Sequence, residues 1–223
     1  MQHPDHLAMA VADLDAAEAG FRELGFDVIA SSIQGGGGGP DPTQIQHLLF
    51  IMVGHNQYLE AVPLDWKAPG HGPAPGVGWW TWYLRSDDLD GLNSHLKQLG
   101  IPAAGAPAIP PGAEDLVPPL AKEIRVAGLH DADTDKAQPC FIQRPPGLLE
   151  SFPGYHESEH KKEPDGVAWV TVSGDTEELE RWVGEHSDEI RIVPGPPRIV
   201  SVAVRLVDGG VVEISNDDIA GWK

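Results

Sequence analysis

The chain has 223 residues, 41% of them hydrophobic, which is enough for a substantial core in one large domain or two small ones. Its formal charge of −19, with no basic cluster beyond Lys161-Lys162, argues against nucleic acid as partner, because phosphate binding needs grouped Lys and Arg. No uncharged apolar run approaches the roughly 18 residues of a membrane span. No signal peptide is apparent, and the lone Cys140 forms no internal disulfide, so a cytoplasmic protein is expected.

In chain order, one pattern recurs three times. An apolar strand over Leu7 to Val11 leads into Asp13-Leu14-Asp15, which opens a helix running to Leu24 and stopped by Gly25. A strand at Phe26 to Ser31 follows, then a loop containing Gly35 to Gly39, then strands over about 45–53 and 57–62 with His55-Asn56 as the turn. The glycine run lacks the Lys-Ser/Thr and following helix of a phosphate-binding loop, and reads as a flexible lid or loop.

The second copy begins with a strand over Trp79 to Leu84. Asp88-Leu89-Asp90 opens a helix that ends at Leu99-Gly100, a short strand follows at Ile101 to Ala104, and two more lie near 122–126 and 139–143. The acidic stretch His130 to Asp135 between these two lacks the central Gly and terminal Glu of a calcium loop, and reads as a solvated turn. The third copy has a strand over Val167 to Val172, a helix from Asp175 to about Glu185, and strands near 190–193, 199–206 and 211–214. Asp208-Gly209-Gly210 is a hairpin turn between the last two. Each copy therefore runs strand, helix, strand, strand, strand. The expected class is α+β, with curved mixed sheets around a cup and helices on the outer face. The modules span 1–64, 79–152 and a divergent 167–223.

Several side chains stand out within this frame. In Tyr58-Leu59-Glu60-Ala61-Val62, alternation puts Tyr58, Glu60 and Val62 on one strand face, and a carboxylate on a buried face needs a partner. His47 shares a face with Leu49, Ile51 and Val53, and is a candidate base or substrate contact in the same cup. Simple alternation also pairs Trp80 with Trp82, opposite Trp79, as rings that line either a core or a ligand cup. Cys140 reads as buried and inert.

His6, the Asp13-Leu14-Asp15-Ala16-Ala17 helix start, Leu24-Gly25-Phe26, the Gly-rich loop and Tyr58-Leu59-Glu60-Ala61-Val62 together resemble the glyoxalase-like branch of the vicinal oxygen chelate superfamily. The resemblance is best over residues 3–64; in the later modules it rests on element order. It implies paired βαβββ modules enclosing a cup. It also implies a divalent metal, one of Zn, Ni, Mn, Co or Fe, held by His6 from the first strand and Glu60 from the last.

Imidazole and carboxylate both suit such ions, which act as Lewis acids on vicinal oxygens. In the second module Thr81 falls opposite His6 and Gln143 opposite Glu60. In the third, Ala168 replaces the His while Glu213 matches Glu60 and is a further candidate ligand. Trp80, Trp82, Tyr58 and Gln143 are then candidate substrate contacts, and Glu60 and His47 candidate acid–base groups.

The resemblance implies a metal-dependent lyase or isomerase acting on a small oxygenated metabolite. A ring-cleaving dioxygenase is less favoured, because a two-His-one-carboxylate set does not assemble from aligned positions. The alternative is a protein that binds a small molecule unchanged. An odd number of modules leaves one sheet without an internal partner, so a homodimer is expected.

Overall fold

The computed structural model describes residues 3–34, 45–54, 57–66, 74–100, 106–107, 123–127, 138–151, 164–183 and 188–222. The Gly35 to Gly39 run, the His55-Asn56 turn, the strand expected at Ile101 to Ala104 and the His130 to Asp135 stretch lie outside them.

The first module is β1 (His3–Val11), α1 (Leu14–Glu23), β2 (Val28–Gln34), β3 (Ile45–Gly54) and β4 (Gln57–Pro63). The second is β5 (Gly78–Arg85), α2 (Leu89–Gln98), β6 (Ala106–Pro107), β7 (Arg125–Ala127) and β8 (Cys140–Gln143). Both helices start where a short acidic side chain takes up a free amide. Asp13 accepts from Ala16 N at 3.0 Å, and Asp88 from Gly91 N at 2.9 Å. Both are followed by glycines with positive φ, Gly25 and Gly100.

The two modules share one topology: the first strand runs parallel to the last, and the intervening strands form an antiparallel meander. Antiparallel pairing of β1 with β5 joins them into one eight-stranded sheet of order β2-β3-β4-β1-β5-β8-β7-β6.

The third unit keeps the element order, with β9 (Pro164–Gly174), α3 (Thr176–Val183), β10 (Ile190–Pro194), β11 (Arg198–Leu206) and β12 (Val211–Ser215). Its pairing differs from the other two. β10 returns directly beside β9 in parallel and β11 lies antiparallel on the other side, giving the order β10-β9-β11-β12. A short α4 (Asn216–Gly221), not anticipated from the sequence, follows a Ser215/Asp218 capping box.

One face of the large sheet carries the main core. Leu7, Met9, Val11, Leu49, Ile51, Leu59 and Trp82 pack there with Phe21 of α1 and Leu96 of α2. Val170, Val172, Val202, Val204 and Ile214 of the small sheet, and Trp182 of α3, join the same core. The apolar face of the third sheet therefore packs within the chain. Asn216 fastens the two sheets together: its Oδ1 accepts from Trp79 N at 2.7 Å, and its Nδ2 donates to Ile199 O at 2.9 Å. Gly78, with φ +134, leaves room for that side chain; a Cβ there would lie 2.5 Å from Asn216 Oδ1.

A second, smaller apolar cluster lines the other face of the large sheet. It holds Ala8, Leu48, Phe50, Met52, Tyr58, Val62, Trp66, Trp80 and Leu149. No helix among the described residues is long and apolar enough to cross a membrane.

Candidate functional site

The second face of the large sheet carries His6, Tyr58, Glu60, Thr81 and Tyr83. Register places them there: His6 sits between Tyr58 of β4 and Tyr83 of β5, and Ala8 between Glu60 and Thr81. Directly paired residues point to the same side of a sheet, and residues two apart along a strand share it. His6 and Glu60 are thus brought to one face, one step apart on neighbouring strands.

His6 is buried and clamped. Its ring stacks on Tyr58 at 4.7 Å and 6°, and on Tyr83 at 4.1 Å and 15°. Its Nδ1 lies 2.8 Å from Asp5 Oδ1, and Arg144 Nε donates to Asp5 Oδ2 at 2.7 Å. Successive residues of a regular strand point to opposite faces. Asp5 and His6 meet because the β1–β5 register slips between Pro4 and His6, leaving Asp5 as the extra residue. Burial pushes the Asp5 carboxyl up, but hydrogen bonding and charge from His6 and Arg144 outweigh it and hold it below the usual carboxylate range.

Glu60 is half-buried, and no hydrogen bond to its carboxylate occurs among the described residues. Burial raises its pKa, and the charge of His6 opposes that rise only in part. Burial also raises the phenols of Tyr58 and Tyr83 well above their ordinary value, so both stay neutral donors. The Cys140 thiol, hydrogen-bonded to Thr81, is pushed up to about 12 by burial and is no nucleophile at neutral pH.

A stability consequence follows for Glu60. Its folded carboxyl holds its proton to higher pH than the unfolded one does. Stability therefore falls as pH rises from about 4.5 through the folded value. Glu60→Gln is expected to unfold at a higher temperature than wild type at neutral pH, with the gain vanishing below the unfolded carboxylate range. Melting curves across pH check this.

Three expected contacts lie elsewhere. His47 does alternate with Leu49, Ile51 and Val53, but that is the face of the main core; the residue paired with Glu60 is Phe50. His47 is exposed on the side away from Glu60. Gln143 shares a strand face with Phe141, a main-core residue, while Cys140 pairs with Tyr83 on the site face. Its Nε2 donates to Asp87 O at 2.9 Å. Glu213 is exposed on the small sheet, next to the core residue Ile214 and on the opposite face, and accepts from Ser201 Oγ at 2.5 Å.

The tryptophans divide differently from simple alternation. Ala8 pairs with Thr81 but Met9 with Trp79, so Trp80 is an extra residue on β5. Trp79 and Trp82 consequently enter the main core, and Trp80 alone joins the cluster beside the site. Asp5, Arg144 and Tyr83 were not singled out from the sequence. The one available signal was an Asp beside a candidate His at a strand start.

The implied divalent ion can be tested against the donors. His6 and Glu60 are its candidate ligands on this face. Among the described residues, no group of three or more His, Cys, Asp and Glu side chains is placed to hold an ion. Catalytic zinc sites use three protein ligands, and His6 and Glu60 are two such donors on this face.

Residues 5–186 match the model of the glyoxalase-like domain family. The chain belongs to that family. The match places it in the vicinal oxygen chelate superfamily, in agreement with the α+β architecture. No curated protein matches this glyoxalase-like chain. Solved structures share its fold at low identity. A hypothetical protein from Staphylococcus aureus has TM-score 0.59 and 11% identity, covering 96% of this chain and 98% of that one. A catechol 2,3-dioxygenase has TM-score 0.52 and 14% identity, covering 98% and 77%. A triple mutant of 4-hydroxymandelate synthase from Streptomyces coelicolor has TM-score 0.50 and 15% identity, covering 97% and 63%. At these identities the likeness carries the fold and not the chemistry.

Proposed function

We propose that the face bearing His6 and Glu60 is the active site of a lyase- or isomerase-type enzyme that moves a proton on a small oxygenated metabolite. The observation that carries this is a half-buried carboxylate without a hydrogen-bond partner among the described residues, beside an imidazole oriented by Asp5. Burial raises the Glu60 pKa above the ordinary carboxylate value, the direction that makes a carboxyl a better proton acceptor and donor in turn. Glu60 is the acid–base group and His6 the second polar contact. Tyr58 and Tyr83 supply neutral walls, and Phe50, Met52 and Trp80 supply apolar ones.

The catechol 2,3-dioxygenase among the structural neighbours makes dioxygenase chemistry the competing enzymatic assignment. It needs an ion that the described donors do not by themselves hold. A second reading is a protein that binds its ligand unchanged, with Tyr58, Phe50 and Trp80 as apolar contacts.

The test is proton exchange. Wild-type protein is incubated in D2O with a panel of small 2-hydroxycarbonyl, dicarbonyl and diol compounds, and C–H signals are followed by NMR. Loss of a C–H signal at a carbon next to the oxygens is the expected result. Line broadening without exchange supports binding alone.

A further inference from the structure

We infer that Asp5 and Arg144 are positioning residues that lock His6 in one tautomer, with the proton on Nδ1 and a bare Nε2 lone pair offered to the ligand. This rests on the site face being the functional one, and it narrows the ligand's chemistry. The argument is an account of donors and acceptors. Arg144 has only donors, and its Nε–H is spent on Asp5 Oδ2 at 2.7 Å. An ionised Asp5 has only acceptors. The nitrogen of His6 that meets Asp5 Oδ1 at 2.8 Å must therefore carry the proton.

Both partners are shielded from water, the Asp5 side chain being 0% and that of Arg144 2% exposed, so no solvent competes for these bonds. The ring cannot turn over to exchange its nitrogens either, since Tyr58 and Tyr83 press on its two faces.

Arg144 follows directly on β8 of the second module, and Asp5 lies in β1 of the first. The lock thus exists only when the two modules are joined. A neutral His6 held this way accepts a hydrogen bond and cannot give one. A ligand group that meets this neutral form of the ring is a donor, such as a hydroxyl or an enol.

The experiment is 15N NMR of the full chain labelled at histidine, recorded where the imidazole is neutral, with His6 assigned by the signal lost in His6→Gln. In wild type the Nδ1 signal is expected at the protonated, pyrrole-type position and Nε2 at the pyridine-type position. Asp5→Asn reverses the logic. Arg144 claims the amide oxygen, the amide NH2 faces His6, and Nδ1 must accept, so the two signals are expected to exchange positions. A structural salt bridge with no orienting role predicts no such exchange.

A wild-type spectrum with Nε2 protonated overturns the inference, whether or not the variant folds. So does an Asp5→Asn spectrum unchanged from wild type. Either result leaves the proton-exchange assay standing, and a failed assay with the expected tautomer counts against the function alone.

Discussion

Glu60→Gln is expected to slow proton exchange on the substrate by about 10²–10⁴-fold, the range a positioned acid–base group contributes. The substitution keeps the shape of the side chain but replaces one acceptor oxygen by an NH2 donor and removes the carboxyl that changes charge in the step. Binding is expected to change far less, because Tyr58, Trp80 and the other walls are untouched. The direction of two effects separates this from general damage. The same variant is expected to melt higher at neutral pH, since burial disfavours the ionised carboxylate it removes. A protein more stable and less active is the signature of a functional group held against the preference of its surroundings. Single-turnover exchange rates and melting curves on one preparation provide both readouts.

Arg144→Met is expected to cost about 3–5 kcal/mol of stability, the usual consequence of leaving one member of a buried ion pair alone. Asp5 and Arg144 are almost wholly out of water, so solvent does not soften the loss. Replacing both, as Asp5→Leu with Arg144→Met, is expected to recover part of it, because the uncompensated carboxylate is gone while His6 Nδ1 loses its acceptor. Acid unfolding gives the second readout. Folded Asp5 binds its proton less readily than an unfolded one, so its contribution is present above its ordinary 3.8 and is lost as pH falls through the lowered folded value. Without Arg144, burial is opposed by His6 alone, and the acid limb of the stability curve is expected to move to higher pH. Chemical denaturation at several pH values measures both effects.

The helices and their ends were legible because their causes are local. An Asp before each of α1 and α2 and a glycine after each are visible in four-residue windows. Alternation in Tyr58-Leu59-Glu60-Ala61-Val62 also held, since β4 lies regularly between β3 and β1. His47 shows where such patterns end. Its alternation with Leu49, Ile51 and Val53 was correct, but only the pairing of Phe50 with Glu60 says which face is which. Register is a property of two strands, and one strand's sequence does not contain it.

The two slips on β1 and β5 account for most of the rest. One sends Trp80 to the site while Trp82 stays in the main core; the other lets neighbouring Asp5 and His6 meet. Arg144 was illegible for a related reason, since its partner is 139 positions away and in another module. The third unit shows the same limit at the level of topology: identical element order, different neighbours.

The most direct measurement is the exchange assay run side by side on wild type, Glu60→Gln and His47→Ala with whichever panel compound responds. Activity that survives in His47→Ala and collapses in Glu60→Gln is the predicted result, because only Glu60 lies on the face with His6. Full exchange by Glu60→Gln, or loss confined to His47→Ala, contradicts the placement of the site.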